Sequence, residues 1–336
     1  MRNIVRRIFE VRDCLRTPAR KAPMALLSVL ALAAPFAVAD EAFPQKPITL
    51  LVSYPPGGSV DLTARVLQQP LAKELGQPIV VENKGGAGGT IATAYVAKAK
   101  PDGYTLLMTL SSHTINPWLY ERLPFDTRRD FAAVSLVAST PQVLVAHPSF
   151  PASNLAELIA RKDGTALPYG SAGVGSPAHV AGELLKLRTG LAFTHIPYRG
   201  GGPATIAVLG NEIPLLWVSL PAITQHVKSG KLKALAVSTT ERSPTLPDVP
   251  SVSESVGGFR VDAWNAIFAP AGTPALVVKR IEQAVIAVTH QPEVRKALLE
   301  QGAVAVGSSA AELERIVSSE MELWQGVTRA AGMKAE

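Results

Sequence analysis

The stretch Ile48-Thr49-Leu50-Leu51-Val52-Ser53-Tyr54-Pro55-Pro56-Gly57-Gly58-Ser59-Val60-Asp61-Leu62-Thr63-Ala64-Arg65 carries the grammar of the whole chain. Ile48 to Tyr54 reads as a buried strand and Pro55 to Ser59 as a turn. Leu62, Val66, Leu67 and Leu71 form the apolar face of a helix stopped at Gly76. The order then recurs. Pro78 to Glu82 enters Gly85-Gly86-Ala87-Gly88-Gly89-Thr90, and Tyr104 to Thr109 ends at Ser111-Ser112-His113. Leu167 to Ser171 enters Ala172-Gly173-Val174-Gly175-Ser176-Pro177, and Ala192 to Tyr198 enters Arg199-Gly200-Gly201-Gly202-Pro203. Strands alternating with helices at this spacing predict an α/β protein with parallel-rich sheets flanked by helices. Residues 131–147 and 261–270 are apolar, nearly uncharged and read as crossings between two such domains. The second domain is then inserted into the first: residues 40–141 and 262–336 make domain I, residues 142–261 domain II. Lys233 to Ser238 reads as a short strand, and Ser243 to Ser255 as a polar, Pro-rich connection. Toward the end, Thr273 reads as an N-cap with Pro274 at N1, Gly302 as a stop, and Ser309-x-x-Glu312 as a capping box.

Working outward, the 336 residues are 47% hydrophobic and 18% charged, which excludes a disordered chain and allows two compact domains. The net charge of +6 belongs to the leader. Residues 1–39 hold seven bases and two acids, leaving 26 Lys+Arg against 25 Asp+Glu beyond them. A polyanion-binding protein is not expected from that balance. The leader has a basic start, an apolar run from Met24 to Val38, and Ala37-Val38-Ala39 before Asp40. That pattern predicts a signal peptide over residues 1–39, cleaved after Ala39, because the run falls short of the roughly 20 residues a spanning helix needs. Cys14 is the one cysteine and would leave with the leader, so neither disulfides nor thiolate chemistry is expected in the mature chain.

The glycine loops end strands and open helices, where open α/β sheets bind ligands. The first helical turn offers unpaired N–H groups and a partial positive charge. Loops of this kind facing each other would form a cage of amide donors for a carboxylate or phosphate. A nucleotide is not favoured. Gly85 to Thr90 lacks the Gly-Lys-Ser/Thr ending of a P-loop, and the region after Gly173-x-Gly175, Phe193 to Tyr198, has no acid for a ribose. Gly57-Gly58-Ser59-Val60-Asp61 misses the nucleophile elbow at its last position, so Ser59 reads as an N-cap and Asp61 as a first-turn acid. The histidines (113, 147, 179, 195, 226 and 290) form no paired ligand motif, so neither a metal nor a cofactor is expected. Trp217, Trp264 and Trp324 read as core or hinge packing.

Five motifs in order resemble one family: Tyr54 to Arg65, Val81 to Gly89, Pro101-Asp102-Gly103-Tyr104, His195 to Gly201 and Ala269 to Pro274. The chain is similar over residues 43–333 to Bug-type, TctC-like receptors, the periplasmic solute-binding components of tripartite tricarboxylate transporters. The resemblance implies a two-domain type II (Venus-flytrap) binding protein that closes over a small carboxylate. It implies no catalysis, with transporter membrane components as partners; a ligand-sensing partner of a sensor kinase is the alternative of the same fold, and a secreted hydrolase the remote one. The candidate ligand residues are Pro56, Gly57, Gly58, Ser59 and Asp61 in the first loop, Gly86, Ala87 and Gly88 in the second, and Ser111 after the third strand. Gly175, Ser176, His179, Tyr198, Arg199 and Gly200 complete the set. Pro214, Val218 and Ala266 depart from the family pattern and predict a more apolar far end of the pocket. Backbone amides are expected to anchor the anion, with Arg65 too far along its helix and Arg199 at the rim. Bulk at Gly58 or Gly175 is therefore expected to harm binding more than loss of either arginine's charge.

Overall fold

The computed structural model describes residues 43–161, 164–261 and 263–335; the expected leader and Asp262 lie outside them. In chain order the elements are β1 (Ile48–Val52), α1 (Ser59–Leu75), β2 (Ile79–Asn83), α2 (Thr90–Ala97), β3 (Thr105–Leu110), α3 (Ser112–Ile115), β4 (Phe131–Ser139), β5 (Gln142–Ala146), α4 (Leu155–Ala160), β6 (Leu167–Ser171), α5 (Pro177–Thr189), β7 (Phe193–Pro197), α6 (Gly201–Leu209), β8 (Leu215–Ser219), α7 (Thr224–Lys228), β9 (Lys233–Val237), β10 (Trp264–Pro270), α8 (Ala275–Thr289), α9 (Pro292–Gln301), β11 (Val304–Ala305) and α10 (Ala310–Ala330).

The strands sort into a sheet of order β11-β4-β10-β3-β1-β2 and a sheet of order β7-β6-β8-β5-β9. Period-two alternation gives β1 two buried faces. Ile48, Leu50 and Val52 pack with Val60, Ala64, Leu67 and Leu71 of α1 and with Ile281 and Val285 of α8. Leu51 points the other way, to Ala92 and Val96 of α2 and Leu313, Val317 and Met321 of α10. The second sheet is sandwiched alike. Leu144, Tyr169 and Trp217 face Val180, Ala181 and Leu185 of α5. Val143, Leu216 and Val218 face Ala204, Ala207 and Val208 of α6. Each fully buried leucine contributes about 1.5–3 kcal/mol, so these central strands and their helices hold the site rigidly.

Both sheets are mixed rather than mainly parallel. β1 pairs in parallel with β2 and β3, and β6 with β7 and β8. β10 runs antiparallel to β3 and β4, and β5 antiparallel to β8 and β9. The antiparallel members are the crossing segments, whose sequence gives no direction. The apolar stretch 131–147 is two strands broken at Thr140-Pro141, because proline cannot donate to a ladder. The two crossings run side by side. Thr140 N–H donates to the Ala263 carbonyl at 2.8 Å, and Gln142 N–H to Ser238 Oγ at 3.0 Å.

Several local expectations meet their structures. Gly76 and Gly302 close α1 and α9 in the left-handed conformation. Ser309 and Glu312 form the reciprocal capping box of α10. Two shift by a residue. Gly58, not Ser59, is the N-cap of α1, and Pro274, not Thr273, caps α8. Thr273 Oγ1 bonds instead to the Pro270 carbonyl at 2.7 Å, closing the preceding turn.

Candidate functional site

Four strand-to-helix loops meet at one cavity of about 470 Å³. Pro55 comes from the loop after β1, Gly86 to Gly88 from the loop after β2, Ala172 to Val174 from the loop after β6, and Pro197 to Gly200 from the end of β7 and its loop. The first two belong to one sheet and the last two to the other. Tyr54, Tyr120, Lys334 and Ala335 complete the wall. Among the described residues no Asp or Glu lines it, whereas Arg199 and Lys334 do.

Each loop is shaped by its own hydrogen bonds. In the first, Asp61 Oδ2 accepts from Gly57 N–H at 3.0 Å, while Oδ1 accepts from Asn83 Nδ2 at 3.0 Å and Arg65 Nε at 3.3 Å. Asn83 Nδ2 also donates to the Tyr54 carbonyl at 3.0 Å. The second loop strings Gly86, Ala87, Gly88 and Gly89 at φ of 128°, 46°, 61° and 92°. Only a glycine-rich sequence takes such a run cheaply, and its turn is tied by Thr90 Oγ1 donating to the Ala87 carbonyl at 2.8 Å. The Gly88 carbonyl accepts from Tyr54 OH at 3.1 Å and Asn116 Nδ2 at 3.0 Å.

The third loop rests on a buried polar stack. Ser176 caps α5 by accepting from His179 N–H at 3.2 Å. His179 Nδ1 accepts from Gly175 N–H at 3.3 Å, which requires an unprotonated Nδ1. The His179 ring stacks on His195 at 3.8 Å between centroids, and His195 Nε2 lies 2.6 Å from Ser171 Oγ. Burial holds His179 down to about 3, helped by repulsion from His195 and Lys186; burial alone holds His195 down to about 4. Both rings are therefore neutral at pH 7. Ser171 and His195 have the separation of a nucleophile and its base. Ser171, however, is fully buried, and its Oγ also bonds Gly173 N–H and the Gly173 carbonyl, each at 3.1 Å. The pair shapes the loop behind the cavity. The fourth loop follows, with Tyr198 N–H donating to the Ser171 carbonyl at 3.1 Å and Gly200 as the N-cap of α6.

The loops touch across the two sheets. A Cβ placed on Gly88 would lie 2.8 Å from the Val174 carbonyl, and one on Gly175 would lie 2.5 Å from Asn116 Oδ1. A Cβ on Gly200 would meet Pro55 Cδ at 3.0 Å.

Of the residues expected from sequence, Gly86, Ala87, Gly88, Tyr198, Arg199 and Gly200 line the cavity. Pro56, Gly57, Gly58, Ser59, Asp61, Ser111, Gly175, Ser176 and His179 are not part of its lining, and Pro56 and Gly57 are exposed. Asp61 is spent inside the first loop and Ser176 on its cap. Ser111, buried at the end of β3, sends its N–H to the Trp264 carbonyl at 3.1 Å. Arg65 is engaged by Asp61 and Asn83, and Arg199 reaches the wall. Gly58 sits at φ −81°, and an added Cβ there meets only the Pro55 carbonyl at 3.6 Å. Val218 is buried in β8 and Ala266 in β10, while the cavity lining includes none of Pro214, Val218 and Ala266, so these departures do not shape it. Tyr54, Pro55, Ala172, Gly173, Val174 and Pro197 adjoin the expected residues along the chain. Tyr120, Lys334 and Ala335 do not, and no motif marks them.

Comparison with known proteins points the same way. The model of the tripartite tricarboxylate transporter family receptor matches residues 63–333. Protein BugT of Bordetella pertussis is 36% identical over 314 residues, covering 92% of this chain and 95% of its own. The structure of the periplasmic binding protein BugD superposes with a TM-score of 0.84 at 34% identity, covering 88% of this chain and all of the other. The R. palustris protein Rpa4515 with adipate also gives 0.84, at 32% identity, covering 87% and 99%.

Proposed function

Since this chain belongs to the tripartite tricarboxylate transporter receptor family, we propose that it captures a small organic carboxylate in the four-loop cavity and delivers it to a tripartite membrane transporter. One observation carries the reading: a cavity walled by four strand-to-helix loops, with two cations and, among the described residues, no acid on its wall. Helix N-termini and glycine amides compensate one carboxylate without a buried cation, each charge-assisted bond contributing roughly 1.5–3 kcal/mol. The presence of adipate in a structure of similar fold and 32% identity supports a carboxylate over a phosphate.

In this proposal residues 40–141 with 262–336 form one lobe and 142–261 the other, with Trp324 and Met333 of the C-terminal segment reaching across into the core of the second sheet. They close by rotating about the paired crossings at Thr140 and Ala263, as hinges absorb domain motion in a few residues. The leader carries the protein to the periplasm and is cleaved after Ala39, so N-terminal sequencing of exported protein should begin at Asp40. The decisive experiment is a thermal-shift screen against mono-, di-, tri- and aromatic carboxylates. A ligand at ~100 times its Kd adds about 2.7 kcal/mol of stability. A panel in which no carboxylate raises the melting temperature would overturn the reading.

A further inference from the structure

The segment beyond α10 returns to the cavity. Gly332 N–H donates to the Arg329 carbonyl at 3.2 Å and Met333 N–H to the Thr328 carbonyl at 2.9 Å, closing the helix end. Met333 is buried among Leu119, Leu144, Trp324 and the core of the second sheet. Two residues on, Ala335 N–H donates to the Leu119 carbonyl at 3.0 Å. Lys334 is pinned between a buried side chain and a backbone bond, yet its own side chain is exposed. It forms part of a partition, since Tyr120, Lys334 and Ala335 line both the four-loop cavity and a neighbouring one of about 450 Å³. Among the described residues neither Lys334 nor Arg199 has an ion-pair partner within 4.0 Å.

Two sources of positive potential therefore face one cavity from different parts of the chain. The loop amides and Arg199 come from strand ends, and Lys334 comes from the segment after α10. A monocarboxylate uses one of them. A ligand with acidic groups at both ends uses both, and an ammonium at the second position discriminates against a neutral or cationic tail. We infer that Lys334 is the specificity-determining cation for the second carboxylate of a dicarboxylate held in the four-loop cavity. This rests on the carboxylate reading above and adds the role of one residue to it.

The test is calorimetry on wild type, Lys334→Gln and Lys334→Arg with three matched pairs: succinate and butyrate, adipate and hexanoate, suberate and octanoate. Wild type should bind at least one diacid more tightly than its matched monoacid. Lys334→Gln should weaken that diacid by about threefold to tenfold, the range of a partly exposed charge pair, and leave the monoacid within about twofold. Lys334→Arg should restore most of the preference, and raising the ionic strength should compress it in wild type but not in Lys334→Gln. Unchanged discrimination in Lys334→Gln, equal loss for both members of a pair, or a wild-type preference for monoacids would overturn the inference and leave the carboxylate reading standing. If none of the six acids binds but another carboxylate does, the assignment of Lys334 to a dicarboxylate falls. If no carboxylate binds at all, the functional reading falls with it.

Discussion

Replacing Gly175 by alanine puts a methyl group where the two sheets' loops meet. Gly175 has φ +77°, a conformation that costs a non-glycine residue roughly 1–2 kcal/mol. The new Cβ would lie 2.5 Å from Asn116 Oδ1 and 2.9 Å from Leu119 Cδ1. Asn116 is only 2% exposed, so it has little room to move. Its retreat would break the 3.0 Å bond from Nδ2 to the Gly88 carbonyl, worth about 1 kcal/mol. Together these amount to about 2–3 kcal/mol against the arrangement that brings the second and third loops together. At about 1.4 kcal/mol per decade, calorimetry with the tightest carboxylate should find Gly175→Ala weakened about 30- to 150-fold. Gly58→Ala is the control, expected within about threefold of wild type because the position has ordinary φ and space. Asn116→Ala deletes the same bond by itself, so adding it to Gly175→Ala should cost little further affinity, a non-additivity expected of groups in contact. Wild-type affinity in Gly175→Ala, or greater damage from Gly58→Ala, would refute the reasoning.

Acid should unfold the protein through its buried histidines. His113 is held down to about 3 by burial alone, wedged against Phe131 and Phe268 with both ring nitrogens unpartnered, and His179 is likewise held to about 3. A folded value below the unfolded 6.5 means stability is complete above pH 6.5 and lost as pH falls toward 3. Each ring then costs about 2 kcal/mol at pH 5. In urea titrations His113→Leu should flatten this loss by about one proton's slope between pH 6 and 4, and parallel curves for variant and wild type would reject the assignment. Asp61→Ala should lower the urea midpoint by about 2–4 kcal/mol in stability, because it strips the first loop of three bonds to one buried carboxylate. Arg65→Gln, half-exposed at the edge of the same cluster, should cost under about 1 kcal/mol, and the reverse ranking would mean the arginine is the true clamp.

What could be read from sequence was local. Ile48 to Asp61 spells strand, turn and helix in consecutive residues, and each glycine loop does the same, so the loops and the helices they open were placed within a residue or two. The loops' common cavity followed from topology, since strand ends in α/β sheets gather at one edge. Strand direction was not local: nothing in Trp264 to Pro270 tells whether β10 runs with or against β3. β8 was missed although Gly210-Asn211-Glu212 marks a turn before it, because Leu215 to Ser219 leads into Leu220-Pro221 rather than into a glycine loop like the other strands. At the cavity, six of the residues expected from sequence line the wall, Gly86, Ala87, Gly88, Tyr198, Arg199 and Gly200, and the other nine lie outside the lining. Asp61, Ser176 and His179 have polar side chains near the cavity, yet each bonds a backbone N–H of its own loop, and Asp61 the Asn83 and Arg65 side chains besides. Tyr120 and Lys334 were invisible for the opposite reason, reaching the wall from segments whose local pattern is ordinary helix end or turn.

The central claim, that backbone amides of the four loops hold a carboxylate, is tested most directly by amide NMR of the 15N-labelled protein. The titrant is the tightest acid from the thermal-shift panel. The account predicts that the largest saturable shifts fall on Gly86, Ala87, Gly88, Gly173, Val174 and Gly200. The amides around Arg161 and Arg188, which line a separate cavity of about 690 Å³, should stay still. Saturable shifts centred on that second cavity, with the loop amides unmoved, would contradict it.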